Sequence, residues 1–340
     1  MQGVDIDRVS SWLVANVDGA SAPFHFALIA GGRSNLTYAV TDANGERYVL
    51  RRPPLGRVLA TAHDMAREHR IISAVGRTSV PVPQAIGLCT DCDIIGAPFY
   101  VMSHVDGVVL DSPERAADLP LGLRPRVSEH LVDVLADLHA VDVDEVGLGD
   151  LAKREGYVER QVKRWSTQWE QSKTRELAAI DEVARQLGNH LPIQQGVSIV
   201  HGDFRFGNCL TDVDHGVINA VLDWELCTLG DALADVGYLG VYWYDGNAEM
   251  ARPNDPTPAG GFLAYADLVE RYARRTGRDL SDIGYYIAFG CWRLAVISEG
   301  VYSRYVHGAM GDGEEVDIAA FKESTESLAE RAWGATRQWA

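Results

Sequence analysis

The chain has 340 residues, 46% hydrophobic and 23% charged, a balance that suits a soluble globular protein with one large or two linked cores. Its formal net charge of −17 speaks against nucleic acid or an anionic membrane as partner, since both require basic patches, while it is compatible with a cationic substrate. No apolar run reaches the ~20 residues of a membrane span, because Arg293 interrupts the best candidate at 285–297; the N-terminus, with Asp5 and Asp7, lacks the cationic lead of a signal peptide, so a cytoplasmic protein is expected.

Residues 6–18 read as a short helix with Ile6, Val9, Leu13 and Val17 near helical spacing. A strand at 24–30 runs into Gly31-Gly32-Arg33-Ser34-Asn35-Leu36-Thr37-Tyr38, a second strand continues to about Thr41, and Asp42-Ala43-Asn44-Gly45 turns it into a third at 47–51. Glycine at such a hairpin lets backbone amides approach a phosphate, so Gly32 is a candidate contact, with Ser34 and Asn35 as added donors. Alternation puts Val49 and Arg51 on one face of the third strand. A helix at 62–75 follows, with Met65, Ile72 and Val75 on its inward stripe and Glu68 among them. A carboxylate on an apolar stripe needs a partner. Arg51 is the natural candidate; the alternative is a solvated pair with Arg67 or Arg70. Extended residues 80–83 lead to strands at 86–88 and 99–102, which complete a five-stranded sheet. Cys89 and Cys92, two of five cysteines, are expected to be free thiols.

From there the pattern turns helical. Val127, Leu131, Val134, Leu135 and Leu138 mark a core helix ending at His139. Residues 154–190 also read as helical and carry Trp165 and Trp169, which serve packing or stack on a substrate. Further helices are expected at 263–274, 285–306 and 317–339, with a Pro- and Gly-broken loop at 246–259. Arg293 sits inside an apolar stretch, where it either contacts an anion or neutralises a buried acid.

One segment carries the chemistry: Ile199-Val200-His201-Gly202-Asp203-Phe204-Arg205-Phe206-Gly207-Asn208, then Val221-Leu222-Asp223-Trp224-Glu225, then Gly230-Asp231 and Asp235. Short strands at 209–212 and 217–222 flank a turn, so the hairpin returns to its start and brings Asn208 and Asp223 side by side, with Asp203 facing the same space. An amide oxygen and a carboxylate so placed suit Mg²⁺, which fills its other positions with water and phosphate oxygens.

His-Gly-Asp-x-x-x-x-Asn followed by Asp-Trp-Glu resembles the core of the aminoglycoside phosphotransferase and choline kinase-like superfamily, a branch of the protein kinase-like fold. The resemblance implies an α+β, bilobal kinase-like fold. Residues 1–105 would form the nucleotide-binding lobe, a five-stranded antiparallel sheet with a helix, and residues 106–340 a larger, mainly helical catalytic lobe. It implies ATP and Mg²⁺ as cofactors, Asp203 as orienter or base for a substrate hydroxyl, and Asn208 and Asp223 as metal ligands. Ser103, His104 and Val105 would form a hinge for the adenine, with Ser103 and Val105 offering backbone groups. Arg51 stands where lysine is usual and would pair with Glu68, as strand lysine pairs with helix glutamate in kinases. Asp235 would brace the catalytic loop through backbone amides, and His201 would fix that loop.

The glycine loop and the Val49-Leu50-Arg51-Arg52-Pro53-Pro54 strand end look closest to the kinase-like domain fused to some acyl-CoA dehydrogenases. That similarity suggests a hydroxyacyl-CoA or hydroxy acid as the small-molecule acceptor, with Arg160, Lys163 and Arg164 available to an anion. An aminoglycoside or choline-like amino alcohol is the rival acceptor, and a nucleotide-binding pseudokinase the rival class. A monomer or homodimer is expected.

Overall fold

Side-chain alternation gives the N-terminal sheet two buried faces, each covered by a different partner. In the computed structural model, which describes residues 1–340 apart from 31–34, 56–63, 245, 247–253, 308–316 and 340, β1 (His25–Ala30), β2 (Leu36–Thr41), β3 (Arg47–Arg52), β4 (Ala85–Cys89) and β5 (Phe99–Ser103) form one antiparallel sheet. Its order is β1-β2-β3-β5-β4. Tyr38, Leu50, Phe99 and Val101 pack on Val9 and Leu13 of α1 (Ile6–Asn16). Val49, Tyr100 and Met102 face the other way, into the core that contains Met65, Ile72 and Val75 of α2 (Met65–Val75). Successive strand residues point to opposite faces, so Arg51 follows Val49 toward α2. The register places Arg51 opposite Thr37 on β2 and Tyr100 on β5.

Helix boundaries follow their caps. Asp5 accepts from the Arg8 amide and Asp64 from the Arg67 amide at 3.0 Å, which start α1 and α2 at the next residue. The expected beginning of α2 at Ala62 lies outside the described residues. A short α3 (Cys92–Ile95) links β4 to β5, and Cys89 and Cys92 are free thiols.

The C-terminal part contains α4 (Arg124–Ala140), α5 (Tyr157–Ser172), α6 (Ala178–Asn189), β6 (Ser198–Val200), β7 (Cys209–Asp212), β8 (Val217–Val221), β9 (Thr228–Gly230), α7 (Leu233–Val241), α8 (Tyr265–Thr276), α9 (Ile283–Val306) and α10 (Ile318–Thr336). The continuous helical stretch expected over 154–190 is two helices. The chain breaks at Lys173–Leu177 because Glu299, buried in α9, accepts from both the amide and the hydroxyl of Thr174, an external partner that a continuing helix could not offer. α9 is buried along most of its length and packs on α7 and α10. Gly237 of α7 lies so close to α9 that a Cβ there would stand 2.5 Å from the Tyr286 backbone. No described helix is long and apolar enough to cross a membrane.

Candidate active site

Two three-residue strands, β6 and β9, pair antiparallel and deliver the chain into His201-Gly202-Asp203. Asp235, at the start of α7 and 1% exposed, holds that loop from below: it accepts from the His201 amide at 2.6 Å and the Gly202 amide at 2.8 Å. Its third partner is His139 Nε2 at 3.2 Å, whose Nδ1 lies 2.7 Å from the Tyr272 hydroxyl. Burial pushes the Asp235 carboxyl up, but His139, His201 and the Gly202 amide outweigh it and hold it below the usual range. Burial pushes His139 down, consistent with a neutral ring that donates to Asp235. His201 is likewise a scaffold: its Nε2 meets the Leu222 carbonyl at 2.9 Å, so the proton sits there, and its Nδ1 accepts the Asp203 amide at 3.2 Å.

The hairpin β7–β8 closes as its spacing requires, with the Leu222 amide donating to the Asn208 carbonyl at 2.8 Å. Asn208 and Asp223 therefore flank one opening. The Asn208 amide nitrogen donates to the Asp203 carbonyl at 2.8 Å and to Asp203 Oδ2 at 2.7 Å, which leaves its amide oxygen as the acceptor end. Asp223 adopts a left-handed backbone, φ 66°, and is the one non-glycine residue among those described to do so. Such strain persists where surroundings over-determine it. The Asp223 side chain is held by Arg51, whose NH2 group lies 2.5 Å from Oδ1.

Arg51 also lies 3.2 Å from Glu68 Oε2 through Nε. Glu68 is 1% exposed and accepts from Tyr100 at 3.1 Å and Asn35 at 3.0 Å. Burial works against the Arg51 charge, but Glu68, Tyr100 and Asp223 override it and raise its pKa. Burial raises the Glu68 carboxyl, and Arg51 opposes that. The expected strand–helix pair is thus present, and the solvent pairing is not: Arg67 donates to the Cys227 carbonyl and Arg70 pairs with Asp150. Asn35 reaches Glu68 and Glu225 in this structure, while Gly32 and Ser34 lie outside the described residues.

A cleft of about 430 Å³ opens between the sheet and this hairpin. Ile29, Val49, Met102, Leu210 and Val221 give it apolar walls, Ser103, His104 and Val105 lie along one side, and Arg51, Asn208 and Asp223 stand at its polar end. Along that side, the Ser103 amide already donates to the Gln84 carbonyl and the Ser103 hydroxyl accepts the Gln84 amide, each at 2.9 Å. The His104 amide donates to Arg47. Among the described residues the Val105 amide has no such bond, so of the two expected hinge contacts Val105 is the one with a donor still available. Glu68 lies behind Arg51 rather than in the cleft lining.

Two arginines flank the catalytic loop. Arg205, two residues after Asp203, is 3.6 Å from Asp203 Oδ1, lies over the Tyr242 ring at 4.9 Å, and has buried Nε and NH1 atoms with no hydrogen-bond partner. Its only sequence signal is a cation inside the loop. Arg293 donates to the Gly202 carbonyl and stacks over Tyr238 at 4.7 Å. The two tryptophans diverge: Trp169 is core, its indole donating to Asp181 at 3.2 Å, whereas Trp165 is half-buried and lines a second cavity. No cluster of three or more His, Cys, Asp or Glu suited to a metal occurs among the described residues.

Residues 25–278 match the phosphotransferase enzyme family. Acyl-CoA dehydrogenase family member 10 of Mus musculus is 34% identical over 326 residues, covering 92% of this chain and 29% of that protein. Acyl-CoA dehydrogenase family member 11 of Gallus gallus is 32% identical over 311 residues, covering 89% of this chain and 39% of that protein. The chain thus spans well under half the length of these relatives. Among solved structures, a protein from Ralstonia eutropha JMP134 that bears the provisional name aminoglycoside phosphotransferase is 31% identical, with a TM-score of 0.83 over 98% of each chain. The GDP complex of aminoglycoside 2'-phosphotransferase-IIIa, at 15% identity, shares the fold with a TM-score of 0.65 over 96% of this chain and 99% of that one. A family match over most of the chain, a five-stranded antiparallel N-terminal sheet and a helical C-terminal part agree: this chain belongs to the phosphotransferase enzyme family and has its kinase-like fold.

Proposed function

We propose that the chain transfers the γ-phosphoryl group of ATP to a hydroxyl of a small molecule. The observation that carries this reading is the convergence at one cleft end of Asp203, locked to Asn208 at 2.7 Å, and Asp223, held by Arg51 at 2.5 Å. Phosphoryl transfer asks a protein mainly for alignment and charge neutralisation. The adenine occupies the apolar end against Val105, and Arg51, kept charged by Glu68, faces the phosphates; Gly32 and Ser34 are the further candidate phosphate contacts, while Asn35 serves the Glu68 pair. Asn208 and Asp223 fit Mg²⁺: the amide nitrogen of one and Oδ1 of the other are taken by Asp203 and Arg51, leaving an amide oxygen and a carboxylate oxygen for a hard cation. When bound, the ion supplies charge neutralisation on the phosphates. Asp203 aims the attacking hydroxyl and takes its proton late, while the bond to the leaving ADP oxygen breaks; a loose transition state does not require a strong base. Arg205, beside Asp203, is placed to balance charge there.

For the acceptor, the sequence relatives favour a hydroxyacyl-CoA or hydroxy acid, since they carry acyl-CoA dehydrogenase names over a longer chain. The net charge of −17 and the name of the Ralstonia neighbour favour an aminoglycoside or amino alcohol instead. The reading includes a lobe boundary near residue 105, supported by the bridge from Val108 to Thr211 just beyond it, and a cytoplasmic monomer or homodimer. ADP formation with Mg²⁺ and ATP, measured against hydroxyacyl-CoAs, hydroxy acids, amino alcohols and aminoglycosides, tests it. Acceptor-dependent ADP that falls by about 10²-fold or more in Asp203→Asn is expected. ATP binding with no turnover on any class, unaltered by Asp203→Asn, would instead mark a pseudokinase.

A further inference from the structure

Apart from the nucleotide cleft, a polar cavity of about 180 Å³ lies between α2, α5, Gly202 and the segment 225–228. Arg293 is part of its wall. This side chain is 5% exposed and its Nε is buried with no hydrogen-bond partner; no carboxylate pairs with it among the described residues. The Gly202 carbonyl and the Tyr238 ring are neutral partners, so the guanidinium is a buried cation without a counter-charge. Arg164, exposed on α5, lies over the Trp165 ring at 5.4 Å, and Arg293 over the same ring at 5.7 Å. The lining also carries three acids, each otherwise engaged: Glu68 by Arg51 and Tyr100, Glu225 by Asn35 at 3.3 Å and Arg51 at 3.8 Å, and Asp64 by capping α2. In a chain of net charge −17 the overall field repels anions, so an anion would need local cations such as these.

We propose that this cavity holds an anionic group of the acceptor, a carboxylate or a phosphate, with Arg293 and Arg164 as its ligands and Trp165 as its floor. Guanidinium groups recognise both anions through paired N–H donors. The term acceptor rests on the kinase reading above; the anion site itself does not. Its place is fitting for that use, because Arg293 bonds the carbonyl of Gly202, the residue immediately before Asp203. The cavity admits a small charged group and is too small for a whole coenzyme A, which would leave the bulk of such a carrier outside.

Ligand-observed NMR titrations of the full chain, with the nucleotide cleft filled by ADP and Mg²⁺, test the site. The probes are 3-hydroxybutanoate, its neutral amide, and inorganic phosphate. The acid is expected to bind at least about tenfold more tightly than the amide, and Arg164→Gln and Arg293→Gln to weaken the acid about tenfold each while leaving the amide unchanged. Arg164 is exposed, so its variant keeps the test decisive if Arg293→Gln does not fold. Preference for phosphate over the acid identifies a phosphate-bearing carrier as the source; the reverse identifies a carboxylic acid. Equal binding of acid and amide, wild-type anion binding in Arg164→Gln, or phosphate binding seen only without ADP overturns the proposal. Anion binding of the expected kind with no phosphorylation of any acceptor would support the site and remove the kinase reading.

Discussion

Arg51→Met removes the cation between three carboxylates and leaves Glu68 buried with its charge uncompensated. Breaking a buried pair from one side typically costs ~3–5 kcal/mol. Here the lower end is expected, about 3 kcal/mol, because Glu68 keeps its bonds from Tyr100 and Asn35, while Asp223 and Glu225, 31% and 22% exposed, can hydrate. Adding Glu68→Gln removes the orphaned charge, so the double variant should recover about 2 kcal/mol of that loss. The pH dependence has a definite sign. Burial already raises the Glu68 carboxyl, and Arg51 is the group that opposes this most. Without Arg51 the folded variant holds a proton at pH values where the unfolded chain, with a carboxyl near ~4.3, has released it. Its stability is therefore greatest below that value and is lost as pH rises through the folded pKa. Urea unfolding followed by tryptophan fluorescence at pH 5 and pH 8 measures both effects across the four proteins of the cycle. Additive losses, or a defect in Arg51→Met that does not lessen at pH 5, would refute the reasoning.

Asp223→Ala should abolish Mg²⁺-dependent ATP binding in a calorimetric titration while leaving the fold intact by circular dichroism; unchanged binding removes Asp223 from its proposed role. Asp235→Asn places an amide donor among the His201, Gly202 and His139 donors, so a loss of about 2–4 kcal/mol in chemical denaturation and a lower kcat are expected, whereas wild-type values in both would show that the loop needs no brace. Because the Asp235 carboxyl is held below its usual range, its stabilisation is present above ~pH 4 and is lost as pH falls through the lower folded pKa; wild type should show this acid loss and Asp235→Ala should lack it. Gly237→Ala forces a Cβ to 2.5 Å from the Tyr286 backbone and should cost ~1–3 kcal/mol, read as a lowered Tm.

Local chemistry wrote much of this protein into its sequence. Period-two alternation in β3 put Val49 and Arg51 on one face, the stripe of Met65, Ile72 and Val75 located α2, and a short turn between two strands returned Asp223 to Asn208. Each of these depends on residues close in the chain, or on a pattern that a single element must satisfy. What tertiary structure alone decided was the set of partners brought from far away. Glu299 ended α5 and so split an unbroken helical pattern; Gln84 occupied Ser103 and left Val105 as the available hinge donor; His139 and Tyr272 completed the support beneath Asp235. The charge state of Arg51 and the isolation of Arg293 likewise depend on which groups share a buried space and which do not. Interactions of that kind are set by packing between elements separated by tens to hundreds of residues, and a one-dimensional pattern records the side chains but not their neighbours.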